Sequence, residues 1–460
     1  MKQRYKGAFL GMAIGDALGA PAQSLKPGRI VQAFGKIMDY IEPDKAFEPT
    51  SSHWRLKGLY SLPTQQALVV AESLITSSKY DLQDIFTTFQ AMARGEEPLG
   101  YFRGADVHFR KVLDLMGTSA APFECGVSHP GIGAASRVLP LALIFRNDET
   151  ALMRAAVECA LLTHNDPRAI AGAAAIVYAA FRFSQERQIT PKDRIDFCRD
   201  LQRFTRKSEE FLQDEFKRCI PKEIPQPAFY AVSDALSILL PCLRENDCAL
   251  ARKTIIAEAN RRDPQFPISS PNQDFAPSAI VHALYISLSA LTFGQGVIEI
   301  INEGKEACAM GAIAGGLLGL RFGDDGIPDE WRAGLLNAHE IARRGDEMAN
   351  GFPDWSERTD LIAMESRLTR DDAAERRKRR EAVIHEEEKR AQKSAARGKT
   401  AASSETKAKL PPQEEAPFAP PPWIVFGEPL ADPITKQRDK ALRGRKRIEW
   451  KETRRRKSKE

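Results

Sequence analysis

Apolar residues recur every three or four positions through residues 1 to about 350, which is the spacing of one face of a helix. The pattern predicts helices over Tyr5 to Leu18, Thr64 to Thr76, Leu82 to Arg94, Ala134 to Phe145, Asp148 to Thr163 and Pro167 to Ser184. It continues over Arg194 to Leu212, Gln226 to Leu239, Ala276 to Leu291, Glu306 to Leu320 and Pro328 to Arg344. Alanine is abundant in these segments and the β-branched alternation of strands is nearly absent, so the fold class is all-α, a compact orthogonal helical domain. Most prolines fall between segments or in their first turn, Pro140 being the main exception. Ala171 to Ala180 and Ala309 to Gly319 are so rich in Ala and Gly that they suit helices packed closely at the centre.

At Arg367 the pattern changes. The charged stretch Arg370 to Lys399 reads as a solvated helix, and the Pro-rich segment Thr400 to Pro422 reads as disordered. Trp423 to Phe426 is a hydrophobic island suited to docking on a partner or on the body. The organisation expected is therefore a domain over residues 1–350, a connector over 351–370, and a charged, largely disordered tail over 371–460.

Composition adds two exclusions. No apolar run approaches the roughly 18 residues of a membrane helix, so no membrane partner is expected. Lys2, Arg4 and Lys6 before Gly7 to Ala20 imitate a secretory signal, but Asp16 interrupts the apolar stretch. The seven cysteines are dispersed without a CxxC pair, which reads as reduced thiols of a cytoplasmic protein. The net charge of +5 conceals an asymmetry, because residues 371–460 hold 25 Lys+Arg against 16 Asp+Glu. Three basic clusters there, Arg376 to Arg380, Arg443 to Arg447 and Arg454 to Lys457, suit nucleic acid or a protein partner, or simply solubility.

Candidate chemistry begins at GAFLGMAIGDALGAPAQ, Gly7 to Gln23. Its glycines at 7, 11, 15 and 19 leave one helix face bare for close packing, whereas Asp16 is harder to explain as packing. Four further segments follow: Gly58 to Ile75, Gly131 to Leu143, Leu161 to Ile176 and Ile301 to Gly319. In this order and spacing the five segments resemble the ADP-ribosylglycohydrolase family. The resemblance implies an all-α domain with two Mg²⁺ or Mn²⁺ ions in a cleft that holds ADP-ribose. Such hard cations take oxygen ligands, chiefly carboxylates, and activate water for cleavage at the ribose.

The sequence departs from the family where those ligands belong. Gln23 stands on the expected Glu, Ser61, Leu62 and Pro63 on a Thr-Asp-Asp run, and Glu306, Cys308 and Ala309 on Asp, Asp and Thr of an Asp-x-Asp-Thr run. Among the carboxylate positions Glu306 alone stays acidic, Lys305 adds a positive charge beside it, and no cofactor is expected. Other carboxylates that a rebuilt centre would use are Asp16, Asp44, Asp106, Asp166, Asp324 and Asp325, with Asp16 and Glu306 as weak catalytic candidates. The ligand-contacting segments are better kept. Gly131 and Gly133 match a loop lying against phosphates in the family, and His164 matches a residue on the ribose side of the cleft. Arg137 reads equally as a core tie or a phosphate contact.

The main reading is thus a family-fold protein without metal-dependent hydrolase activity, retaining a site for ADP-ribose or a related nucleotide. Two alternatives stay open. One is an active ADP-ribosyl hydrolase with a rebuilt site, and the other is a scaffold whose basic tail binds nucleic acid or a protein.

Overall fold

The first helix, Lys2–Gly19, lies antiparallel to Ala307–Phe322, and both are buried on nearly every side. Their glycine stripes interlock. A Cβ added to Gly15 would sit 1.9 Å from the carbonyl oxygen of Gly311, and one on Gly311 would sit 2.1 Å from that of Gly15. Gly11 meets Gly315 and Gly7 meets Gly319 in the same way, so the two backbones are in contact with nothing between them. Around this pair stand Leu62–Ser77, Pro167–Gln185 and Ala276–Ser289, whose residues are also mostly buried. The Ala-rich 171–180 segment is central, as its composition implies. One-sided helices such as Leu82–Ala93, Asp193–Glu215 and Ala338–Asn350 complete the all-α body. The computed structural model describes residues 1–402 apart from 96–97, 119–120, 186–188 and 352–357. The Trp423 to Phe426 island and the two C-terminal basic clusters lie outside the described residues.

Three predicted helices are divided. Ala134 to Phe145 becomes a 3₁₀ turn, Ala135–Arg137, and a helix, Leu139–Ile144. Pro140 thus sits in a first turn, where a missing N–H costs nothing. Pro328 to Arg344 becomes Asp329–Gly334 and Ala338–Asn350, separated by Asn337 in the left-handed region at φ 65°. Gln226 to Leu239 breaks into short pieces because the buried Glu209 carboxylate takes both the N–H and the hydroxyl of Ser233. Helices Val107–Thr118, Cys248–Arg262 and Phe293–Ile301 were not predicted.

Burial, only partly offset by those Ser233 bonds, pushes the Glu209 carboxyl up to about 8. A carboxyl raised above its unfolded value contributes stability that is complete below about pH 4.5 and is lost as pH rises through about 8. The chain is therefore expected to lose stability between pH 5 and 8 relative to its Glu209→Gln variant, as read from urea midpoints across that range.

The segment read as a connector starts a helix instead. Leu361–Ala402 buries Leu361, Met364 and Leu368 against the body, and its Glu365 is fully buried. The Glu365 carboxylate accepts from the Tyr60 hydroxyl at 2.6 Å, from Gln65 Nε2 at 2.6 Å and from Arg103 Nη1 at 2.8 Å. Further on, Asp372 accepts the Leu56 N–H at 2.7 Å and Arg379 reaches Asp44 at 2.6 Å. From Arg377 to Ala391 the charged stretch is exposed, as a solvated helix should be.

Candidate functional site

The end of the first helix, the start of Leu62–Ser77 and the start of Ala307–Phe322 converge, which brings the family's ligand positions together. Asp16 is fully buried there. Its Oδ1 accepts the Ser61 hydroxyl at 2.5 Å, and its Oδ2 accepts the Ser61 N–H (2.9 Å), the Thr64 N–H (3.2 Å) and the Thr64 hydroxyl (2.7 Å). Four donors, three on Oδ2 and one on Oδ1, engage both oxygens of the carboxylate. Asp16 is thus a cap for the helix Leu62–Ser77, taking over a role that Ser61's own side chain does not perform.

Gln23 closes the opposite side. Its Nε2 donates to Glu306 Oε2 at 2.9 Å while its Oε1 accepts the Cys308 N–H at 3.0 Å. One amide therefore bridges two of the positions where the family carries acidic ligands. Burial first, and then the nearby Asp274 charge, push the Glu306 carboxyl up to about 7 against the opposing Gln23 bond. Arg55 is buried beside them and donates to Cys308 Sγ at 3.9 Å. Burial and the Asp16 charge push that thiol up to about 12, so it stays protonated. Leu62 and Pro63 are buried and offer no oxygen from their side chains.

These residues do not fit a pair of divalent cations. Such ions need several uncommitted carboxylate oxygens. Here Asp16 is engaged by Ser61 and Thr64, one oxygen of Glu306 is taken by Gln23, and a permanent guanidinium already supplies positive charge. Among the described residues no group of three His, Cys, Asp or Glu is arranged to hold a metal ion. Of the other candidate carboxylates Asp106 lines the adjoining cleft with His129 and His164, and the rest lie elsewhere. Asp44 accepts from Trp54 Nε1 at 2.7 Å, Asp106 caps Phe109 at 2.7 Å, and Asp166 holds Arg168 through both oxygens. Asp324 binds Arg332 at 3.0 Å, and Asp325 is exposed.

The expected ligand loop has an internal occupant as well. The Ile132 N–H, between Gly131 and Gly133, donates to Asp274 Oδ1 at 2.9 Å. A Cβ on Gly131 would lie 2.3 Å from that same oxygen, so glycine is what lets the carboxylate approach. Asp274 also binds His129 Nε2 at 2.7 Å, and His129 stacks on His108 with centroids 3.7 Å apart. Burial alone would raise Asp274, but the His129 bond and charge outweigh it and hold the carboxyl below its usual range. For His129 burial alone would lower the ring, and the Asp274 bond and charge reverse this, so each group favours the charged form of the other.

His164 lies at the same cleft, and burial followed by the Arg137 and His129 charges lowers it to about 3, so it is neutral. Arg137 proves to be a core tie, donating to Gln66 (2.7 Å), Thr163 Oγ1 (2.7 Å) and the Cys159 carbonyl (2.8 Å). Thr163 Oγ1, which accepts from Arg137, lies 2.7 Å from His164 Nδ1, and the Nε2 edge of the ring faces Gly133. With these side chains inside, the cavity shared by Gly133, His129, His164 and Asp274 measures about 40 Å³.

The structure thus brings Asp16, Gln23, Ser61, Leu62, Pro63, Glu306 and Cys308 together, with Gly131, Gly133 and His164 at the adjoining cleft. Arg55, His129 and Asp274 were missed. His129 and Asp274 are 145 positions apart, and Arg55 carries no motif, so no local spacing pointed to them.

Comparison with known proteins follows the same outline. The family model for ADP-ribosylglycohydrolase matches residues 1–359. The ADP-ribosyl-[dinitrogen reductase] glycohydrolase of Rhodospirillum rubrum is 25% identical over 350 residues, covering 75% of this chain and 95% of that protein. An ADP-ribosylhydrolase of Danio rerio is 24% identical over 368 residues, covering 75% and 90%. An uncharacterized protein of Archaeoglobus fulgidus is 23% identical over 337 residues, covering 73% and 92%. Among solved structures, a chain of an ADP-ribosylglycohydrolase-related protein complex shares the fold with a TM-score of 0.52 at 20% identity, covering 76% of this chain and 98% of that one. Motif order, fold and family model agree, and this chain belongs to the ADP-ribosylglycohydrolase family.

Proposed function

We propose that this chain is a pseudoenzyme of its family, in which protein groups have replaced the ions and the phosphate that the cleft would otherwise hold. The observation that carries this reading is the Gln23 bridge, because one amide joins Glu306 to the Cys308 backbone across two former ligand positions. Arg55 supplies fixed positive charge at Cys308, and Asp274 supplies negative charge at the Ile132 amide. Both substitutions are internal, so the cleft is electrically complete without a ligand. Its free volume of about 40 Å³ compares with roughly 300 Å³ or more for sites that enclose small molecules. ADP-ribose therefore enters this cleft only if the His108–His129–Asp274 group moves out of it.

Calorimetry with ADP-ribose, run with and without Mg²⁺ or Mn²⁺, is the direct test. No metal-dependent heat is expected, and no ADP-ribose release from modified protein in a parallel hydrolysis assay. Tight, Mg²⁺-dependent binding would overturn the reading and favour an active enzyme with a rebuilt site.

A further inference from the structure

A larger cavity lies away from the closed cleft, where the helix Leu361–Ala402 crosses the loops around residues 49–55 and 102–105. It encloses about 400 Å³, within the range of small-molecule sites. Arg55, Arg103 and Arg110 line it from the body, and Arg376, Arg377 and Arg380 line it from the helix. Asp372 is the carboxylate on the wall, and its Oδ1 is occupied by the Leu56 N–H. Burial also raises the Asp372 carboxyl, which weakens it further as a counter-charge.

Several of these guanidinium groups are fixed by neutral acceptors, so they are oriented without being neutralised. Arg376 donates to the carbonyls of Pro49 (2.8 Å) and Thr50 (3.2 Å), Arg110 to that of Ala105 (3.4 Å), and Arg55 to the protonated Cys308 thiol. Arg103 is 5% exposed and pairs with Glu365 through Nη1, while its buried Nη2 has no hydrogen-bond partner. A buried guanidinium nitrogen without an acceptor is costly, and a ligand oxygen would remove that cost. Arg377 and Arg380 are exposed and leave the cavity open to solvent on the helix side.

We propose that this pocket binds a condensed phosphate, a compact anion carrying at least two phosphates joined by anhydride oxygen. The chemistry favours that class. Guanidinium forks pair with phosphate oxygens bidentately, and with Arg103 paired to Glu365 the other five around about 400 Å³ need more acceptor oxygens and charge than one carboxylate or one orthophosphate carries. The volume admits a short phosphate chain or a nucleotide's diphosphate and is far too small for a duplex. Half of the arginine wall comes from residues beyond 359, where the family match ends. Of the six arginines Arg55 also reaches the family's ligand positions, through Cys308, while those on the helix lie beyond the family match, so the proposal stands whether or not the cleft is catalytically silent.

The test is calorimetry on the full chain with orthophosphate, pyrophosphate, tripolyphosphate and ADP, beside the Arg377→Glu/Arg380→Glu double variant and a Lys253→Glu control. Lys253 is exposed and outside the pocket, and neither exposed arginine is needed for packing, so all three proteins should give the same thermal midpoint. Tripolyphosphate is expected to bind at least tenfold more tightly than orthophosphate. The double variant should weaken it at least tenfold and the control should leave it unchanged. A nucleoside requirement, seen as ADP binding well above pyrophosphate, would identify the nucleotide as the source of the phosphate within the same proposal. Binding that persists in the double variant would place the anion on the tail's basic clusters and overturn the proposal. So would equal loss in the control, absence of binding, or displacement of tripolyphosphate by a short duplex that binds more tightly.

Discussion

Gly15→Ala is expected to destabilise the protein by more than about 4 kcal/mol, a loss large enough to prevent folding in many domains of this kind. The added methyl carbon would lie 1.9 Å from the Gly311 carbonyl oxygen, and that oxygen belongs to backbone, not to a side chain that can turn away. Relief requires the helices Lys2–Gly19 and Ala307–Phe322 to separate, which also opens the Gly11–Gly315 and Gly7–Gly319 contacts. Gly28→Ala is the matched control, because nothing lies within 4 Å of the position its Cβ would take. Urea denaturation of the two variants should give a collapse of the midpoint for the first and little change for the second. A Gly15→Ala protein of near-normal stability would mean that the two backbones do not touch.

Asp16→Ala is expected to cost roughly 3 kcal/mol or more, since hydrogen bonds to a charged group are worth about 1.5–3 kcal/mol and two buried backbone donors lose their acceptor. Those donors are the N–H groups of Ser61 and Thr64 at the start of Leu62–Ser77. Asp16→Asn keeps one acceptor oxygen and should recover part of the loss. The same experiment separates a cap from a metal ligand. If Asp16 works only as a cap, added Mg²⁺ leaves the wild-type midpoint where it was. A Mg²⁺-dependent rise that vanishes in Asp16→Asn would make Asp16 a ligand and reverse its assignment here.

The central helices were legible because burial on all sides demands small or apolar residues at every position, and Gly7 to Gly19 and Ala309 to Gly319 show that directly. Boundaries failed where a tertiary partner overrode the local pattern. Ser233 is taken by Glu209, and the periodicity of Gln226 to Leu239 contains no sign of it. Gln23, Leu62, Pro63 and Cys308 were read as departures because the residues flanking them match the family's motifs, and the fold places them close together. What fills the cleft could not be read the same way. Asp274 and Arg55 act on Ile132 and Cys308 from 142 and 253 positions away, and charge complementarity over such separations leaves no spacing to detect. The Leu361–Ala402 helix was missed at its start because its buried face is short and partly polar. Glu365, Thr369 and Asp372 look like solvated positions until their partners on the body are known.

That helix also imposes an order on how the protein is made. A ribosome that has delivered residue 359 has delivered everything the family match covers, yet Tyr60, Gln65 and Arg103 are still waiting for Glu365. The nascent body must carry a buried-to-be guanidinium without its counter-charge until the next turns of chain leave the exit tunnel, and domains that are otherwise ready to fold are exposed to misassembly in just such intervals. That helix also carries half of the arginine-lined wall, so the cavity cannot be complete until residues 376–380 have been made and docked.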